Sequence, residues 1–95
     1  MNLVFKPKAE ETLQNIAEFI DDANTPGAGE RWEERLIEHI FKVARLKNVK
    51  FALCTNETLA DAGFSCLIYK GWVIVFKIER QSFIVYQVIA GSILY

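Results

Sequence analysis

SCLIYKGWVIVFKIERQSFIVYQVIA, running from Ser65 to Ala90, reads as three successive antiparallel strands. Val73, Val75, Lys77 and Glu79 alternate with Ile74, Phe76 and Ile78, while Ile84, Tyr86, Val88 and Ala90 alternate with Phe83, Val85, Gln87 and Ile89. A period of two in β-branched and aromatic residues is the signature of sheet. Lys70-Gly71 and Arg80-Gln81 interrupt the apolar runs as tight reversals, and Gly71 supplies a positive φ at little steric cost. The last two strands are apolar on both faces. Helices are therefore expected over one face, with the other only partly exposed.

Working outward, Asn2 to Phe5 is a short strand candidate, and Pro7 suits the first turn of a helix. From Lys8 to Asp22 the apolar positions Ala9, Leu13, Ile16, Ala17 and Ile20 fall at helical spacing, with Phe19 widening the stripe. The break at Asn24-Thr25-Pro26-Gly27-Ala28-Gly29 places Thr25 as an N-cap with Pro26 in the first turn of a second helix. That helix carries Trp32, Leu36, Ile37, Ile40, Phe41 and Ala44 on one broad face and ends near Leu46. The two form a helical hairpin suited to cover the sheet. The expected fold is a single α+β domain over residues 1–95: a short N-terminal strand, then a helical hairpin packed on an antiparallel sheet of three further strands.

The stretch Phe51 to Phe64 admits two readings: a short helical turn capped by Thr55 and closed by Gly63, or a loop that wraps the sheet edge. The final residues Gly91-Ser92-Ile93-Leu94-Tyr95 form an apolar tail that docks on the fold or on a partner. Cys54 and Cys66 show neither CxxC nor a Cys/His cluster, so reduced, half-buried thiols are expected over a disulfide or a zinc site. No apolar run reaches the roughly twenty residues of a membrane helix, and the start MNLVFKPKAEE lacks a secretory apolar core. A cytoplasmic protein without membrane contact is expected.

The net charge of −1 hides an asymmetry. Residues 1–41 hold nine acids against four bases, whereas residues 42–95 hold seven bases against three acids. An anionic partner is thus expected on the carboxy-terminal half, where Lys42, Arg45, Lys47, Lys50, Lys70, Lys77 and Arg80 are the target-binding candidates. The first four also complement the negative end of the second helix, so their grouping has a purely structural reading. His39, the single histidine, sits at the margin of an apolar helix face and reads as a border residue.

No phosphate-cradling glycine motif, nucleophile elbow, metal-ligand spacing or carboxylate pair is present, and neither metal nor cofactor is expected. Metal-free RNA cleavage needs a general base, a cation for the phosphorane and an acid for the leaving oxygen. Tyr86 and Tyr95 are the catalytic candidates, although exposed tyrosines in a small sheet are also ordinary packing residues.

The order strand, helical hairpin, three strands, together with Glu38-His39-Ile40-Phe41 and Gly71-Trp72-Val73-Ile74-Val75-Phe76-Lys77-Ile78, resembles the RelE/ParE toxin superfamily of type II toxin–antitoxin systems. Lys8 to Ile20 is similar to the opening helix of ParE-like members, Pro26 to Arg31 to the start of their second helix, and Val88-Ile89-Ala90-Gly91-Ser92 to the closing strand. The nuclease pattern of RelE-type members is not matched. Val73 stands where they place an arginine, Phe64 to Ile68 where they place basic residues, and Ala90 and Ile93 where they carry histidine and arginine.

The resemblance implies a ParE-like toxin that stabilises plasmids by binding DNA gyrase and is neutralised by a cognate antitoxin, in a toxin–antitoxin hetero-oligomer. The alternatives are a ribosome-dependent mRNA endoribonuclease and a non-toxic member that only binds its antitoxin. In each case the antitoxin is expected on apolar surface left by the hairpin and sheet, with Phe19, Trp32, Trp72, Phe76, Ile93 and Leu94 as candidate contacts.

Overall fold

The computed structural model describes residues 2–45 and 51–91. Its elements are β1 (Asn2–Phe5), α1 (Pro7–Ala23), α2 (Ala28–Ala44), α3 (Glu57–Asp61), β2 (Ser65–Tyr69), β3 (Trp72–Glu79) and β4 (Ser82–Ala90). This is the expected α+β architecture. β2, β3 and β4 form the antiparallel meander read from Ser65 to Ala90, and β1 adds to the far side of β4 in parallel, giving the order β1-β4-β3-β2. The sheet is therefore mixed, because α1 and α2 intervene between β1 and the strands it joins.

One face of the sheet seats the helices. Leu3 and Phe5 of β1, Leu67 and Tyr69 of β2, Trp72, Ile74 and Phe76 of β3, and Phe83, Val85 and Val88 of β4 pack with Ala9, Leu13, Ile16, Leu36 and Ile40. Phe76 and Phe83 stack at 4.1 Å between centroids, and Phe51 stands edge-on to Phe76 at 5.3 Å. No polar side chain is buried among the described residues, so hydrophobic burial holds the fold without buried ion pairs. Phe19 does not widen the α1 stripe. It is 72% exposed, pointing away from the sheet.

The start of α2 differs from the expected cap. Gly27, with φ of 86°, is the N-cap, and Thr25 and Pro26 lie in the preceding turn. The orphan amide of Gly29 is satisfied by α1 instead, donating to Asp21 Oδ1 at 2.8 Å. A carboxylate at that position also faces the positive end of the α2 dipole. Gly29 further lets the helices meet, because a Cβ there would collide with the Ala17 backbone carbonyl. Helix α2 closes at Ala44, and the expected end near Leu46 lies outside the described residues.

The strict alternation read along β4 breaks at Tyr86. Val75 pairs with Gln87 and Phe76 with Val85, so Tyr86 is an extra residue in a β-bulge. This is why Phe83 and Val85 are followed in the core by Val88 rather than Gln87. Both tight reversals are present, with φ of 46° at Lys70, 84° at Gly71 and 57° at Arg80.

Residues 51–64 realise both readings of that stretch at once. The segment is a strap: Phe51 packs on the helix side of the sheet, Leu53 bridges to Ser65 on the outer edge of β2, and Cys54 reaches the opposite face. α3 lies within it, capped by Asn56, whose side chain accepts from the Leu59 amide at 3.1 Å, and not by Thr55. The expectation of reduced thiols is overturned, since Cys54 and Cys66 are joined in a disulfide. Their twelve-residue separation gave no motif, and the strap's path around the edge of β2 is what brings the sulfurs together. Among the described residues no helix is long and apolar enough to cross a membrane.

Candidate functional site: an apolar groove on the open face of the sheet

On the face away from the helices stand Val4 of β1, Cys66 and Ile68 of β2, Val73, Val75 and Lys77 of β3, and Ile84, Gln87 and Ile89 of β4. The strand registers require this placement, because directly paired residues share a face. Ile68 is 61% exposed and Val4 is also exposed, whereas Val73 and Val75 are buried. A sheet face this apolar, with no helix over it among the described elements, is the largest departure from an ordinary solvent face.

Beside β4 this face forms an open groove of about 620 Å³, lined by Lys6, Pro7, Lys8, Phe64, Val75, Tyr86 and Gln87. Phe64, at the end of the strap, meets Tyr86 edge-to-face with centroids 5.0 Å apart. Lys77 Nζ lies 4.4 Å from the Phe64 centroid and 5.9 Å from that of Tyr86, and Lys6 Nζ lies 5.4 Å from Tyr86. The cations rest on ring faces while their stems cover apolar surface. The groove therefore combines an apolar floor with a positive rim. Such a surface fits an apolar side chain flanked by carboxylates, or a base flanked by phosphates.

The bulge and the parallel strand build this site. The extra residue at Tyr86 aims its ring beside Phe64, and β1 ends with the Lys6 amide donating to the Val85 carbonyl at 2.9 Å, which brings the start of α1 alongside. A second depression, of about 360 Å³, lies between the strap and β3 near Phe51, Ser65, Phe76 and Glu79. Lys77 lies at its border as well, between the two depressions, and the edge-on pair Phe51 and Phe76 stands on its inner side.

Of the residues singled out in the sequence, Tyr86 and Lys77 come together here. Lys70 and Arg80 occupy the two hairpin turns at opposite ends of β3, and Lys42 and Arg45 are exposed at the end of α2. These cations do not form one patch with Lys77. Lys47, Lys50, Ile93, Leu94 and Tyr95 lie outside the described residues. Phe76, proposed above as an antitoxin contact, is 1% exposed and belongs to the core, because its strand position faces the helices. Trp32 and Trp72 are half-buried against each other, edge-on at 6.0 Å, and among the described residues Phe19 is the apolar candidate standing free. His39 is half-buried beside Tyr69, with centroids 5.0 Å apart, in the border position read for it.

Sequence reasoning did not select Lys6, Lys8 or Phe64. The first two belong to the acidic half of the chain, and only the parallel β1–β4 pairing carries them to Lys77. Phe64 closes the least regular stretch of the sequence, where no periodicity marks its direction.

No family model matches the chain, and no curated protein does. Among solved structures, a chain of the "Chromosomal ParDE TA system from P. aeruginosa" is similar to it, with a TM-score of 0.75, 13% identity and 95% of each chain covered. The likeness runs through the strand, the helical hairpin and the sheet alike. The chain thus shares the α+β fold of that ParDE-system chain.

Proposed function

We propose that this chain is a single-domain, cytoplasmic, ParE-like toxin of a toxin–antitoxin pair, acting by binding DNA gyrase and neutralised by a cognate antitoxin. The observation that carries the reading is the apolar groove with its lysine rim, over which no described element lies, set in a fold shared over 95% of both chains with a chain of a toxin–antitoxin system. An antitoxin segment that places an apolar side chain between Phe64 and Tyr86, with carboxylates toward Lys6, Lys8 and Lys77, would cover it. Such a segment folds on binding and gains mainly from apolar burial. The exposed amino acids Phe19 and Ile68 supply further surface for the same partner.

Induction of the chain alone in a bacterial host, with thymidine and methionine incorporation followed over the first minutes, tests the target. A fall in DNA synthesis first, relieved by co-expression of the small protein encoded beside it, is the expected result. Arrest of neither synthesis sinks the toxin reading and leaves an antitoxin-binding module.

One observation favours a second reading. Lys6 Nζ and Lys77 Nζ lie 5.4 and 5.9 Å from the Tyr86 ring centroid, so a phosphate held by either ammonium group would sit near the tyrosine side chain. This is the arrangement a metal-free mRNA endoribonuclease requires. Early loss of protein synthesis, abolished by Tyr86→Phe, would establish that reading in place of gyrase.

A further inference from the structure

The Cys54–Cys66 disulfide has no part in the docking role described above. Cys54 is 5% exposed, whereas Cys66 is only half-buried and stands on the open face, paired with Val75 on the groove floor. The other ties between the strap and β2 are slight. α3 buries none of its residues and Leu53 is 56% exposed. Among the described residues, the backbone link is the Leu53–Ser65 bridge, which includes the bond from the Cys54 amide to the Phe64 carbonyl, 3.0 Å long, at the strap's end. That last bond connects one cysteine directly to a groove wall.

We infer that Cys54–Cys66 is a thiol–disulfide exchange site for a dithiol reductant, and that its state sets the order of the strap and, through Phe64, the shape of the groove. Only the second half of the inference rests on the docking reading. A reductant thiolate attacks Sγ of Cys66, the less buried of the two cysteines, the S–S bond breaks, and Cys54 leaves as a thiolate that takes up a proton. The reductant's second thiolate then attacks its own sulfur in the mixed disulfide and releases Cys66, which is protonated in turn. Two electrons pass to the protein, and the dithiol leaves as a disulfide.

The consequence follows from what the bond closes. Opening it returns conformational freedom to the strap, whose exposed helix offers little burial to resist. The Cys54 amide then leaves the Phe64 carbonyl. Phe64 loses its backing, and with it go the edge contact to Tyr86 and the ring beneath Lys77. The β2–β3–β4 meander, held by its own ladder and by the helices, keeps its structure. With the disulfide formed the groove is whole; in the reducing cytoplasm proposed above a dithiol opens it at one wall, so docking is strongest only while the disulfide stands.

Amide hydrogen exchange on the full chain, with and without dithiothreitol, tests the first half, and fluorescence titration with the aromatic sulfonate ANS as groove probe tests the second. The thiol count in each state is read by mass. The expected result is faster exchange over residues 53–64 on reduction, unchanged protection in β3 and β4, and ANS affinity lower by about tenfold. The Cys54→Ser/Cys66→Ser variant should match the reduced chain and ignore the reductant, and Phe64→Ala should bind ANS weakly in both states.

Free thiols in the chain before reductant, unchanged exchange in the strap after reduction, or loss of protection throughout the sheet would each overturn the inference. ANS affinity that is high and indifferent to reduction overturns the coupling to the groove and leaves the docking reading standing. An oxidised chain that binds no ANS, while its strap still responds to reductant, supports the exchange site and sinks the docking reading.

Discussion

Single side chains in this protein separate into those that hold the fold and those free to act. Phe76→Ala should cost about 3–5 kcal/mol, since a stacked, buried ring is replaced by a cavity. Phe19→Ala, at an exposed position, should change stability by less than about 0.5 kcal/mol and affect only partner binding. Denaturant melts of the two variants check the contrast. Gly29→Ala sets two effects against each other: alanine favours a helix by about 1 kcal/mol, and the clash with the Ala17 carbonyl opposes it. The colliding atom is backbone and cannot swing aside, so overpacking should win and the melting temperature should fall. Lys70→Asn runs the other way. At a φ of 46° ahead of Gly71, asparagine suits the reversal better than lysine and should stabilise by about 0.5 kcal/mol, visible as a higher melting temperature.

At the scale of elements, the sequence was most legible where periodicity is long. Ala9, Leu13 and Ile16 on α1 and Leu36 and Ile40 on α2 are buried as their spacing requires, and the meander lies where the alternation put it. The misses share a cause, which is dependence on contacts remote in sequence. Asp21 caps α2 from another helix, so no local pattern marks it. The bulge at Tyr86 changes the inward side of β4 without leaving a trace in composition. The cysteines meet only because the strap rounds β2. Replacing both with serine should lower the free energy of opening the strap by about 3 kcal/mol, the chain-entropy value for a loop of this size, and leave that of the strands unchanged. Native-state amide exchange of the oxidised chain and the double variant measures both.

For the molecule as a whole, the proposed docking surface is what the helices leave uncovered. Two of the groove's three lysines, Lys6 and Lys8, lie in the half of the sequence with a net negative charge, so a count by halves pointed away from them. Charge reversal at Lys6 and Lys77 together should weaken antitoxin binding by about tenfold or more and flatten its dependence on salt. Calorimetry at two ionic strengths reads both effects. The same reversals at Lys70 and Arg80, in the hairpin turns, should leave antitoxin affinity unchanged.

The position of β4 also bears on how the chain comes off the ribosome. This strand lies between β1 and β3, yet it is the last to be synthesised, and Asn2 must wait for Ser82 to find its neighbour. Until residues 82–90 emerge, the helical hairpin lacks the seat made by Phe83, Val85 and Val88, and β1 has nothing to pair with. Closing so long a loop is slow compared with forming the helices or the β2–β3 hairpin. Completion of the sheet thus waits for β4, and a nascent chain stalled before it exposes both apolar faces at once to whatever chaperone or partner reaches it first.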